Sequence, residues 1–382
     1  MQLTLALLLA AGDAPVAERT TTSHAALEVG AYTDDVSVSV LTPSVSARVE
    51  DPVAGWGVNG RYLVDVVSAA SPDIVATASP RWTEVRNAGN VGGRYRTGDV
   101  VVGGSAMASY TPDYLALGAN MQVSEDLDEK NLTLTQGYGF GHDTIGRVGT
   151  PFSVFSRELA YHTISLGAAR VVNPALVVSV FADGVVERGD QSKPYRYIPM
   201  FGPDVAPSIP RGASVDLVSG VRLQPRPLEQ LPRGRERGAL TARIAWRLAG
   251  STVRFESRGY ADSWGLLATT NDLRWLVDAG ARVTWWPHLR LHLQDGVDFW
   301  RRAYVAGGPR DLPALRTGDR ELGPLTNAGA GGGLRLALGR PGRLDDIVWT
   351  TTLDGTWTTF HDAIYVTDRL SLLAATSVEV AF

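Results

Sequence analysis

Ser371-Leu372-Leu373-Ala374-Ala375-Thr376-Ser377-Val378-Glu379-Val380-Ala381-Phe382 ends the chain. Counted back from the terminus, Phe382, Val380, Val378, Thr376, Ala374 and Leu372 share one face, while Ala381, Glu379, Ser377, Ala375 and Ser371 share the other. A period of two is a strand with one apolar and one polar side. Lipid suits the first face and water the second. One strand decides nothing alone, so the pattern has to recur.

It recurs along the whole chain. Leu27, Val29 and Ala31 open the series, Val36, Val38 and Val40 lead into Val45, Ala47 and Val49, and Val58, Gly60, Tyr62, Val64 and Val66 oppose Asn59, Arg61 and Asp65. Further on, Leu240, Ala242, Ile244, Trp246 and Leu248 oppose Thr241, Arg243 and Arg247, and Val253 and Phe255 oppose Arg254, Glu256 and Arg258. Leu273 to Val283 alternates against Arg274, Asp278 and Arg282, and Leu289 to Phe299 against Arg290, His292, Gln294 and Asp298. No helical period competes over any long window.

The connections fall into two alternating sets. One is short, at about 50–54, 97–99, 124–130, 172–174, 249–251, 286–288 and 340–346; the other includes long stretches at about 68–88, 141–161, 187–238, 261–268 and 302–325. Short turns on one side and long loops on the other describe an all-β, antiparallel, up-and-down transmembrane barrel, with the long loops outside the cell. The count is sixteen strands, an even number that leaves both termini in the periplasm. Residues 215–223 alternate inside the longest loop, so eighteen strands, or a hairpin folded into the lumen, stay open.

Composition agrees. The 382 residues are 44% hydrophobic with no run long enough to span a bilayer as a helix, and Gly 41, Trp 10 and Tyr 12 stand against Met 4. The apolar stretch Leu3 to Ala11, followed by Ala14-Pro15-Val16-Ala17, reads as a signal peptide over residues 1–17, although no Lys or Arg precedes it. Residues 18–382 then form a single barrel domain. Cysteine is absent, which removes disulfides, thiolate metal sites and a cysteine nucleophile. A net charge of −4 with no basic block gives nucleic-acid binding no support. Trp56, Trp285, Trp286 and Trp349 fall at expected periplasmic strand ends, and Tyr110, Tyr114, Tyr260, Trp264, Trp300 and Tyr304 at outer ends, as two interfacial aromatic belts require.

The terminal Phe382 after an alternating strand resembles the last strand of bacterial outer-membrane proteins. Tyr62-Leu63-Val64-Asp65-Val66-Val67-Ser68-Ala69-Ala70-Ser71-Pro72 is similar to the strand-to-loop signature of a porin-like family of proteobacterial outer-membrane proteins, known only as a domain of unknown function. Lys193-Pro194-Tyr195-Arg196, Leu231-Pro232 with Arg233, Arg235 and Arg237, Arg258-Gly259-Tyr260-Ala261-Asp262-Ser263-Trp264-Gly265, Gln294 to Phe299, and Arg316-Thr317-Gly318-Asp319-Arg320-Glu321-Leu322 resemble it too. They cover most of the mature chain in order. Ala69 stands where a Gly is usual, and the loop around 201–230 is extended. The resemblance implies a barrel in the bacterial outer membrane and supplies no substrate or catalytic residue.

Candidate function lies in the lumen. Arg243, Arg247, Arg254, Arg258, Arg274, Arg282 and Arg290 are assigned to four consecutive strands and so to one inner wall. Such a wall favours anionic solutes or polymers, because guanidinium forks match carboxylate and phosphate. Alternatively Glu256, Asp278, Asp298 and Asp65 neutralise it and brace the barrel. Both readings require the arginines to face inward, since Arg at the lipid midplane costs about 2–4 kcal/mol. The loop residues Arg233, Arg235, Arg237, Arg310, Arg316 and Arg320 invite anion binding, or are an ordinary charged surface. Residues 124–130 are acidic without EF-hand spacing, and a solvated turn fits them better. The Ala328–Gly333 run lacks the Lys-Ser/Thr of a phosphate cradle, which leaves a tight barrel bend.

No catalytic constellation stands out. The six His are dispersed, and His288 and His292, four apart on a strand, would sit about 13 Å apart. No cofactor is expected and no enzyme. The expectation is a channel for anionic solutes, or for a secreted polymer such as exopolysaccharide received from periplasmic export proteins. A plugged surface barrel whose loops bind a partner, and an outer-membrane enzyme, are the alternatives. Partners are outer-membrane lipid, and the barrel-assembly machinery through the strand ending at Phe382.

Overall fold

The computed structural model describes residues 21–69, 82–224, 226–308, 311–339 and 346–382. The expected signal peptide, Arg310 and most of the turn at 340–346 lie outside them. The strands are β1 (Thr22–Asp34), β2 (Val38–Asp51), β3 (Trp56–Ala69), β4 (Trp82–Thr97), β5 (Val100–Thr111), β6 (Tyr114–Leu127), β7 (Leu132–Ile145), β8 (Arg157–Asn173) and β9 (Leu176–Gly189). After the two-residue β10 (Met200–Phe201) come β11 (Gly234–Leu248), β12 (Ser251–Asp262), β13 (Leu267–Asp278) and β14 (Val283–Gln294). The short β15 (Tyr304–Val305) precedes β16 (Leu325–Gly339), β17 (Asp346–Phe360) and β18 (Asp368–Ala381).

Sixteen of these close into one antiparallel barrel, while β10 and β15 leave the wall and pair with each other in parallel. The seam is β1 against β18, from His24 opposite Ala381 to Asp34 opposite Ser371. Reciprocal backbone bonds join Ser23 and Phe382 at 2.9 and 3.0 Å, so the last residue is stitched to the first strand. Closure leaves no strand edge unpaired, the condition for a sheet in hydrocarbon.

Side chains alternate as the period of two demands. Leu240, Ile244, Trp246, Leu289, Leu291 and Leu293 stand on the outer face and are exposed, Leu240 by 59%. In water so continuous an apolar surface would be a liability; in a bilayer it is the solvated face. No helix among the described residues is long and apolar enough to cross a membrane.

At one end the described turns are short, at 52–55, 98–99, 128–131, 174–175, 249–250 and 279–282. At the other end, loops 190–233 and 295–324 fold together into a cap. Phe201, Ala206, Ile209, Ala213 and Val218 form one small core of it, with Ala303, Ile364 and Tyr365 against them. Ile198, Met200, Tyr304 and Ala306 form a second. Leu325 and Phe360, the inward residues at the upper ends of β16 and β17, pack with Ala363 and Val366 and receive Trp300 from the loop. The cap therefore rests inside the mouth on that side.

Several expectations are corrected. Residues 215–223 are not strands: α1 (Val215–Val221) is a helix, started by Ser214, whose hydroxyl accepts from the Leu217 amide at 3.2 Å, and it buries Val218 in the cap. The eighteen-strand count is thereby withdrawn. The turn between β13 and β14 falls at 279–282 rather than 286–288, with Gly280 at φ +82 making it. Residues 263–266 alone connect β12 to β13. Trp264 and Tyr304 are buried in the cap and Trp300 is half-buried there, so none of the three joins an interfacial belt. Trp286 sits opposite Gly333 on the lumen side.

Candidate functional site: the charged lumen

Register places the arginine wall. Arg243 stands opposite Glu256, Ala245 opposite Arg254, Arg254 opposite Arg274, and Glu256 opposite Asp272, which in turn faces Arg290. These positions share one face across β11–β14, the face away from Leu240, Phe255 and Leu273. The wall is inward.

Most of its charges are matched. Arg243 grips Glu256 Oε2 through Nε at 2.8 Å and a terminal nitrogen at 2.5 Å. Arg247 meets Asp278 at 2.7 Å, and Arg258 meets Asp183 at 2.8 Å and the Thr241 hydroxyl at 3.0 Å. Asp272 serves Arg274 at 3.2 Å and Arg290 at 3.8 Å. It also meets His288 Nε2 at 2.7 Å, and the other ring nitrogen reaches Asp354 at the same distance. His288 thus ties β13 to β17 across β16. Arg254 is the exception: among the described residues it has no ion pair or hydrogen bond.

Two expected members of the wall lie elsewhere. Arg282 falls in the periplasmic turn, because a four-residue turn preserves the alternation that placed it on a strand. Asp298 is in loop 295–324, its amide bonded to the Trp264 carbonyl at 2.8 Å, because β14 stops at Gln294. The alternation beyond that point buries Val297 with Leu231, Trp264 and Leu266 in a third cap core. Asp65 lies on β3, where it takes Arg86 at 2.6 Å and the Thr42 hydroxyl at 2.6 Å, and so balances a different wall.

A recess of about 600 Å³ opens on the wall, lined by Ser179, Arg243, Arg254, Glu256, Asp272, Arg274 and Arg290 among others. Four guanidiniums against two carboxylates leave it a formal charge of +2. It lies in the periplasmic half, since Arg254 is near the start of β12 and Arg274 near the end of β13. Roughly across the barrel, on β1–β4 with β18, a second recess of about 580 Å³ is lined by His24, Ser46, Arg48, Asn59, Arg61, Asn90, Arg94 and Glu379 among others. There Arg61 meets Glu28 at 2.8 Å, Arg48 meets Glu50 at 3.5 Å, and Arg94 also holds Glu50. Sequence reading missed this wall, and it missed Asp272; the parity of Asn59 and Arg61, and of Asp272 with Arg274, was the available signal.

The glycine run of β16 is neither a bend nor a phosphate cradle. A Cβ on Gly333 would overlap the Trp286 indole, and one on Gly331 would overlap Asp354. These inward glycines make room for lumen side chains on neighbouring strands.

The cap holds a buried ionic cluster. Glu229 is 2% exposed and accepts from the Thr317 hydroxyl at 2.7 Å, Arg196 at 3.1 Å and the Lys193 amide at 2.9 Å. Arg196 also meets Asp319 at 2.8 Å. Burial would push the Asp319 carboxyl up, but the Arg196 guanidinium and the Glu321 amide override it and hold it below the usual carboxylate range. Beside the cluster, Gln230 and Arg316 exchange backbone bonds at 3.0 and 2.9 Å. The Tyr195 hydroxyl reaches Asp113 in the β5–β6 hairpin at 2.7 Å. Arg235 holds Asp262 and stacks over Trp264, 4.1 Å from the ring centre. Of the segments that carried the family resemblance, Lys193–Arg196, Leu231–Arg237 and Arg316–Leu322 meet here in the cap, whereas Tyr62–Ala69 lies on β3 and Arg258 on the arginine wall. Of the loop arginines expected to bind anions, Arg235, Arg237 and Arg316 are engaged internally: Arg237 holds Glu187, and Arg316 donates to the carbonyls of Leu228 at 2.8 Å and Pro313 at 2.7 Å.

Among solved structures the chain is similar to CdiB from Acinetobacter baumannii (TM-score 0.47, 9% identity), covering 94% of this chain and 60% of CdiB, so it spans less than two thirds of that protein. It is similar to a bacterial polysaccharide outer membrane secretin (0.48, 8%), covering 95% and 98% of the two chains. It is also similar to OccK5 (OpdH) from Pseudomonas aeruginosa (0.42, 8%), again covering 95% and 98%. These likenesses concern architecture alone. Among curated proteins the sequence has no match. The closed barrel, its lipid-suited outer face and its short-turn and long-loop ends place the protein in the bacterial outer membrane. Residues 67–341 match the model of a protein family of unknown function, DUF3570, and the chain belongs to that family.

Proposed function

We propose that the protein is an outer-membrane conduit for anionic cargo, with the basic wall of β11–β14 as its selective surface and the cap as its outer cover. The observation that carries this reading is Arg254, unpaired and directly opposite Arg274 in a recess of net positive charge. A sixteen-stranded barrel is wide enough for an aqueous channel. Partnered arginines define the shape of the wall, and an unpartnered one is left to meet a passing carboxylate or phosphate. The reading extends to a secreted polymer such as exopolysaccharide, received from periplasmic export proteins. The alternating strand ending at Phe382 is proposed as the segment handed to the barrel-assembly machinery.

The test is conductance of the purified protein in planar bilayers. Anion-selective current that reverses or collapses in Arg254→Glu supports the conduit. The interlocked cap favours a second reading, a closed surface barrel whose loops bind a partner. A protein that stays silent even after the cap is loosened would favour that reading.

A further inference from the structure

The two walls of the lumen differ in kind, and the difference bears on what the cargo is. On the β11–β14 side the recess carries surplus positive charge. On the β1–β4 side three arginines also line the recess, but each contacts a carboxylate, Glu28 or Glu50, and His24 meets Glu379; the remaining polar lining is amide and hydroxyl, with Ser46, Asn59 and Asn90 facing inward. Among the described residues no side-chain hydrogen bond occupies Asn59 or Asn90, and Gly57 and Gly92 keep the wall beside them low. The neighbouring inward positions continue this chemistry, for Asn120 donates to the Ser105 hydroxyl at 2.8 Å.

An inorganic anion or a small carboxylate would use the first wall alone. Facing it with amides that both donate and accept serves a ligand rich in hydroxyl groups. Building on the anionic-cargo reading, we propose that the conduit's cargo is a polyhydroxylated anion, an acidic saccharide. Its carboxylates or phosphates lie along Arg254, Arg274 and Arg290, and its hydroxyls lie along Asn59 and Asn90. Each recess, at about 600 and about 580 Å³, falls within the span of small-ligand sites, roughly 300–1,000 Å³. Several weak contacts spread over both walls hold such a chain without trapping it, as conduction requires.

The test is binding to the folded, detergent-purified full barrel, which does not depend on whether the cap is open. Three probes are compared by calorimetry: trigalacturonate, tricarballylate (three carboxylates without sugar hydroxyls) and maltotriose (hydroxyls without charge). Trigalacturonate is expected to bind at least tenfold more tightly than either of the others. Arg254→Gln lowers its affinity several-fold, and Asn59→Leu with Asn90→Leu brings it down to the level of tricarballylate. Tricarballylate binding as tightly as trigalacturonate on the unaltered protein, a comparison that needs no variant, overturns the saccharide inference and leaves the anionic conduit standing. Binding of maltotriose as tight as that of trigalacturonate, or no binding of either anion, overturns both.

Discussion

Glu229 accepts a 2.7 Å hydrogen bond from Thr317, a residue 88 positions further along the chain, at a point where neither side chain meets solvent. The bond joins the two loops that form the cap. A carboxylate this deep is tolerated because three donors surround it; removing one member of a buried pair leaves an uncompensated charge and costs about 3–5 kcal/mol. Substituting Glu229→Ala leaves Arg196 with Asp319 alone and takes the acceptor from the Thr317 hydroxyl and the Lys193 amide. The expected outcome is a cap that becomes sensitive to protease while the barrel keeps its heat-modifiable migration on gels. Unchanged loop protection would contradict the latch.

Gln230 and Arg316 form a mutually bonded antiparallel pair. Such pairs have Cα atoms about 5.5 Å apart, within the reach of a disulfide. The chain has no cysteine of its own, so Gln230→Cys with Arg316→Cys introduces the sole thiols. Oxidised protein should conduct less in a bilayer than the same sample after reductant. Equal currents in the two states would mean that the loops need not separate for conduction.

Acid should loosen the cap. The Asp319 carboxyl is held below its ordinary value, against its own burial, by Arg196. A group with a lowered folded value contributes stability that is full above its unfolded value, about 3.9, and lost as pH falls through the folded one. Pepsin digestion at pH 3 should therefore cut loops 190–233 and 295–324 faster than at pH 4.5, after correction for pepsin's own activity. Asp319→Asn should flatten that difference.

Arg254 and Arg247 should separate selectivity from stability. Arg254 supports no partner, so Arg254→Gln is expected to change unfolding stability by no more than about 0.5 kcal/mol while reducing anion preference. Arg247→Gln takes the ion pair from Asp278, which keeps the Thr284 hydroxyl, and is expected to lower unfolding stability more than Arg254→Gln does. Urea titration and reversal potentials measure the two effects independently.

Gly331→Ala should be costly for a different reason. The added methyl overlaps Asp354 and the Leu353 carbonyl on the adjacent strand. Overpacking of this kind costs about 1–3 kcal/mol. The expected readout is a lower urea midpoint with the His288 bridge disturbed; an unaltered midpoint would mean that β17 shifts freely.

Periodicity made the barrel legible, and it failed where alternation outlived the strand. Leu289, Leu291, Leu293, Val297 and Phe299 share one parity, interrupted at Asp295, and β14 ends at Gln294, because Val297 is drawn into the cap core instead of lipid. Asp298 was misplaced by that shared parity and Arg282 by the parity-preserving turn around Gly280. Residues 215–223 satisfied a period of two and still formed a helix; Ser214 followed by Asp216 was the local sign of a helix start. The pairing of Arg243 with Glu256 could be expected from facing positions, whereas the cap could not. Its contacts join residues dozens to hundreds of positions apart, and no spacing rule encodes them.

Loop 190–233 leaves the wall between β9 and β11, and loop 295–324 leaves it between β14 and β16. Neither half of the lid has its complement until both hairpins have crossed the bilayer. The lid can therefore close only after both loops have been carried to the cell surface.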